Sequence, residues 1–166
     1  LILPHINYGI LAWGSNIKKV FLLQKKAIRI IFRAKYNAHT TPLFKSLNLL
    51  TTYDIFQLQC LKFFYKFINN QLPVNIQALN IQPISERHDH NTRQRHNLQI
   101  PRGNTNLIKR SLKYSIPYVI NNLPTLVIEK VSTHSLHGIK VYCKNYLISL
   151  YATQCLQQNC YVCNNA

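Results

Sequence analysis

Residues 51–70 read TTYDIFQLQCLKFFYKFINN. Thr51, followed three residues later by Asp54, approximates a capping box and marks a helix start. From there Ile55, Leu58, Leu61, Phe64, Tyr65 and Ile68 recur at helical spacing. Phe56, Phe63 and Phe67 widen the apolar surface until only Gln57, Gln59, Lys62 and Lys66 stay polar. A helix that is apolar on nearly every side must be covered by neighbours. The segment is therefore expected to be the central helix of a bundle, with its aromatic rings in the core rather than stacked on a ligand.

Upstream, Leu23 to Thr40 reads LQKKAIRIIFRAKYNAHT. A helix capped by Asn16 and running to about Tyr36 puts Val20, Leu23, Ala27, Ile30, Ile31 and Ala34 on one face. Lys18, Lys25, Lys26, Arg29 and Arg33 fall on the other. Lys25, Arg29 and Arg33 follow one another at four-residue steps, and such like-charge pairs repel by roughly a few tenths of a kcal/mol each. No Glu relieves them. The face is either solvated or turned to a polyanion, and the missing counter-charges favour the polyanion. Before it, the apolar run Tyr8 to Trp13 ends at Gly14, and Trp13 is expected to anchor the core. After it, Thr41 and Pro42 read as N-cap and first-turn proline of a short helix.

Downstream the texture changes at Leu72-Pro73. Gln82 to Asn106 is polar and broken, as a linker or extended arm would be. Apolar content returns from Leu107 to Asn122, and NNLPTL is another break. Ser132 or Thr133 can cap a last helix with Ile139, Tyr142, Cys143, Tyr146, Leu147 and Leu150 inward and Lys140 and Lys144 opposite. The expected fold is mainly α: a small basic helical bundle (1–72), a polar arm (73–106), a smaller C-terminal helical unit (107–152) and a frayed tail (153–166).

The 166 residues carry 20 Lys and Arg against 4 Asp and Glu, a formal charge of +16. That balance favours nucleic acid as partner over an anionic membrane surface. No apolar run is long enough to cross a bilayer. The absence of Met reads as a piece of a longer polypeptide, cut or translated as a fragment. The cysteines number five, an odd count crowded towards one end, which argues for reduced thiols in cytoplasm or nucleus.

Phosphodiester chemistry needs carboxylates converging on metal ions. Asp54 is explained by capping, and Glu129 has no other acid near it in the sequence. Glu86 and Asp89 lie among His88, His90 and His96, where a metal site could be drawn, but Arg87, Arg93 and Arg95 make a charge-balanced loop the better reading. Cys160 and Cys163 form a single CxxC, with Cys155 and Cys143 before it. Zinc sites normally pair two such knuckles, so no metal ligand is assigned and no cofactor is expected in this chain.

Several segments together resemble the C-terminal region of jockey-like non-LTR retrotransposon reverse transcriptases. They are Tyr8, Gly9 and Trp13; Leu23, Gln24, Lys25 and Arg29; His39, Thr40, Pro42, Leu43 and Phe44; Thr92 and Arg93; Asn121, Leu123 and Pro124; and Lys140 with Lys144. The resemblance runs from Leu1 to about Tyr151. Ile120 stands where the family often has Trp, and Gly138-Ile139 where it often has Phe, departures that fit a decayed element copy. The resemblance implies a thumb and post-thumb region that grips template and primer. The partners would be RNA, DNA and an upstream palm of the same polypeptide, and the parent polymerase would use magnesium. Phosphates would meet Lys18, Lys25, Lys26, Arg29 and Arg33, then Arg93, Arg95 and Arg102 on the arm. The rival readings are a structural or interaction module and a basic membrane-surface binder.

Overall fold

The computed structural model describes residues 2–14, 17–87, 90 and 93–151. Among these the helices are α1 (Ile2–Asn7), α2 (Ile10–Trp13), α3 (Lys18–Ile31), α4 (Thr41–Ser46), α5 (Thr52–Ile68), α6 (Val74–Gln77), α7 (Asn106–Arg110), α8 (Leu112–Asn121), α9 (Thr125–Thr133) and α10 (Leu136–Ser149). The fold is mainly α, and no strand occurs among the described residues.

Three side chains decide where α5 begins. Thr51 is extended, and its Oγ1 accepts from the Asp54 amide at 3.3 Å, as the capping pattern requires. Gln24 of α3 adds a second cap from another helix. Its Oε1 accepts from the Thr52 amide at 2.9 Å and the Thr52 hydroxyl at 2.7 Å, while its Nε2 donates to the Leu50 carbonyl at 2.9 Å. The Asp54 carboxylate also accepts the hydroxyls of Thr51 and Tyr151, which ties the end of α10 to the start of α5.

From that fixed start α5 runs through the middle of the molecule. Ile55, Leu58, Cys60, Leu61, Phe63 and Phe64 are buried. They share one cluster with Ile6 and Ile10, with Ile116 and Ile120 of α8, and with Ile139, Cys143 and Leu147 of α10. The expected central helix is central. The bundle and the C-terminal unit close on one core, so residues 72 and 106 mark changes of sequence texture rather than edges of separate cores. The tail from residue 152 lies outside the described residues.

The polar arm folds back on itself. Amides of Ile84, Ser85 and Gln99 donate to carbonyls of Asn97 (2.9 Å), Arg95 (3.1 Å) and Gln82 (2.8 Å). Pro83 and Leu98 form an antiparallel bridge. Ile81 and Leu98 are buried. The Asn121 side chain grips the Leu98 main chain from both sides, accepting its N–H at 2.8 Å and donating to its carbonyl at 2.9 Å. The arm is thereby docked on α8.

Several local expectations need correction. The basic helix stops at Ile31, and Arg33 sits in the left-handed region at φ 51°. The Ala34 amide donates to the Arg29 carbonyl at 2.9 Å, which closes the helix end. Asn16 lies outside the described residues. The inward face of α3 is Ile17, Phe21, Gln24 and Ile28, while Leu23, Ile30 and Ile31 are exposed. Aromatic packing sets that rotation: the Phe21 ring lies 5.1 Å from Tyr53 edge-on and 6.3 Å from Phe44. Trp13 is only half-buried, donating its Nε1–H to the Tyr8 carbonyl at 2.9 Å, and the buried anchor of that segment is Ile10. A side chain at Gly14 would have to displace the Phe56 ring, because a Cβ there would lie 2.3 Å from it. The cap of α4 is Thr40, one residue earlier than expected. The cap of α10 is Ser135 rather than Ser132 or Thr133, which belong to α9. Leu150, expected inward on α10, is exposed.

Candidate nucleic-acid interface

The expected stripe on α3 does not form as drawn. Lys25 is half-buried with its Nζ 4.4 Å from the centroid of the Phe21 ring, a cation–π contact. Arg29 donates its Nε–H to the Ala38 carbonyl at 2.9 Å and so pins the following loop. Arg33 has left the helix. The turn at Arg33 instead brings Lys26, Arg29 and Arg33 around one groove of about 460 Å³ with Ile30, Ala34 and Tyr36. Lys18 is exposed at the opposite end of α3. Arg29 and Arg33 lie at the negative end of the helix dipole, which accounts for part of their placement without any ligand.

On the arm, Arg93 and Arg102 are exposed and Arg95 is half-buried. Arg102 joins Arg87 in a groove of about 670 Å³ between the arm and the end of α8, together with Gln94, Asn97, Tyr118 and Asn122. Thr92, Asp89 and His88 lie outside the described residues. Glu86 sits in a 3-10 turn, Ile84–Glu86. Among the described residues no three His, Cys, Asp or Glu gather as metal ligands would. Cys155, Cys160 and Cys163 lie outside them.

A third group of cations has no signature in the sequence. Lys62 of α5 meets Lys140 and Lys144 of α10 around a cleft of about 240 Å³. Asn7, Asn48 and Gln59 supply amides to its wall, and no carboxylate is in its described lining. Burial, then the neighbouring ammoniums of Lys140 and Lys66, pull the Lys62 pKa below its usual 10.5. Lys62 and Lys140 stand 78 positions apart, so no spacing rule could join them; only the packing of α10 on α5 does.

The remaining buried ionisable groups serve the core. Burial pushes the Cys60 thiol up to about 12. Burial and the charge of Asp54 push Cys143 up to about 11. Burial and the hydrogen bond to Asp54 raise Tyr151. Thiols held protonated in this way are poor nucleophiles and poor metal ligands. Chemically, the surface offers fixed cations, amides and exposed rings.

The chain matches no family model, no curated protein and no solved structure. No helix among the described residues is long and apolar enough to cross a membrane.

Proposed function

We propose that this chain binds nucleic acid with little regard to sequence, as the C-terminal part of an RNA-directed DNA polymerase of a non-LTR mobile element. The Lys62–Lys140–Lys144 cleft carries this reading. Lys62 faces the like charge of Lys140, and an anion seated in the cleft among Lys62, Lys140 and Lys144 would relieve it. Phosphate is the anion that both RNA and DNA supply at regular intervals. The four-carboxylate total reinforces the point, since Asp54 is turned inward to cap α5. Lys26, Arg29 and Arg33 at the end of α3, and Arg87 and Arg102 on the arm, extend the contact.

Phosphate contacts give affinity and register without base choice. The role is therefore to hold and position template and primer, while catalysis and its magnesium belong to a palm elsewhere in the polypeptide. Such a protein works in cytoplasm and nucleus. The test is binding of labelled RNA and DNA duplexes as a function of salt. Replacing Lys62, Lys140 and Lys144 together by Gln should lower the slope of log affinity against log salt, alike on unrelated sequences. The drop should be roughly 0.7–0.9 for each phosphate that the variant no longer neutralises. An unchanged slope, or displacement of the nucleic acid by anionic vesicles at equal charge, overturns the reading.

A further inference from the structure

Phosphate binding leaves one surface feature unexplained. Tyr114 and Tyr118, one turn apart on α8, hold their rings nearly parallel, 14° between planes and 6.0 Å between centroids. Tyr118 is 52% exposed, and Tyr53 across the groove is 45% exposed. Tyr53 packs one edge against Phe21, but among the described residues no such contact accounts for the exposed ring of Tyr118. They line a groove of about 470 Å³ between the start of α5 and α7–α8, and its cations are Lys109 and Arg110. Ser115 lies on the same wall, and its buried hydroxyl has no hydrogen-bond partner. Tyr118 is also a wall of the groove that holds Arg87 and Arg102. Two basic grooves thus meet at one exposed ring.

Interleaved rings and cations suit a polyanion that also has flat faces to offer. A duplex hides its base faces in its own stack, whereas an unpaired strand presents them. We propose that the groove bounded by Tyr53, Tyr114 and Tyr118 seats an unpaired segment of nucleic acid. Its bases stack on the Tyr114–Tyr118 platform while its phosphates meet Lys109 and Arg110. The strand then passes over Tyr118 towards Arg87 and Arg102. This rests on the nucleic-acid reading and adds to it a preference for single strands at a stated place.

The experiment compares three labelled probes on the full chain: an oligothymidylate, an abasic strand of equal length, and a duplex. Tyr118→Ala should weaken oligothymidylate binding roughly 5- to 150-fold, the range for removing one base–ring stack. It should leave the abasic strand and the duplex nearly unchanged, and Tyr118→Phe should keep the oligothymidylate affinity. The double variant Lys109→Gln with Arg110→Gln should weaken oligothymidylate and abasic strand together and serves if Tyr118→Ala does not fold. Equal losses on all probes in Tyr118→Ala, or wild-type protein that binds oligothymidylate no better than the abasic strand, overturn this inference alone. Wild-type protein that binds no probe overturns the nucleic-acid reading and this inference with it.

Discussion

The amide of Gln24 on α3 holds Thr52 on α5 through two hydrogen bonds, 2.9 Å from the Thr52 amide and 2.7 Å from its hydroxyl. Thr52 is fully buried, and both donors are satisfied by Gln24. Gln24→Ala should destabilise the fold by about 2–3 kcal/mol, the cost of stranding buried polar groups. Gln24→Glu keeps the acceptor for Thr52 but sets a carboxylate oxygen against the Leu50 carbonyl, so it should destabilise as well. Urea unfolding midpoints decide it, and a loss in Gln24→Ala below about 1 kcal/mol would contradict the finding.

Arg33 should be a site of gain. The chain turns left-handed after α3, α4 and α5, at Arg33, Asn48 and Asn70. Asn tolerates that conformation and Arg does not, at a cost of roughly 1–2 kcal/mol. Arg33→Asn should therefore raise stability by about 0.5–1 kcal/mol while removing a cation from the groove at the end of α3. A thermal scan showing a lower midpoint for the variant would mean that Arg33 makes a contact worth more than its strain.

The two buried thiols set an alkaline limit. Unfolded thiols ionise near 9.0, whereas Cys143 and Cys60 hold their protons to about 11 and about 12. The folded state binds more protons across that interval, so stability is complete below pH 9 and falls as pH rises through it. Each thiol contributes a slope of up to about 1.4 kcal/mol per pH unit. Cys60→Ala should lower stability at neutral pH but flatten its decline above 9. Parallel curves for the variant and the wild-type chain would sink the assignment.

Lys62 shifts the other way. Its folded pKa lies below 10.5, so the unfolded chain holds that proton more tightly and the charged cluster costs stability at neutral pH. Lys140→Gln removes one of the causes and should raise the melting temperature slightly in phosphate-free buffer. Added inorganic phosphate should raise the wild-type melting temperature more than that of the variant, since an anion bound only by the folded state stabilises it. Equal shifts in the two proteins would show that the cleft holds no anion.

What the sequence makes legible is local. The cap and inward face of α5 can be read because Thr51, Asp54 and the apolar repeat lie within one stretch, and few alternatives bury so much surface. The face of α3 differs from expectation because that helix carries two apolar stripes. Leu23 and Ile30 compete with Phe21 and Ile28, and the tie is broken by Phe44 and Tyr53, which periodicity cannot see. The lysine cleft and the Tyr118 junction join residues from distant segments. Neither has a sequence signature beyond the overall excess of charge. The helix α9 is hidden because Pro124 looks like a break when it is the residue from which a helix starts.

Asn121 recognises the arm by its main chain alone, one N–H and one carbonyl of Leu98. Such a clasp cannot tell one side chain from another. The arm is free to change its outward residues over generations and still return to the same place on α8. Position 98 itself can exchange among apolar residues that fill its buried seat, but proline, lacking the N–H, would remove one of the clasp's two hydrogen bonds.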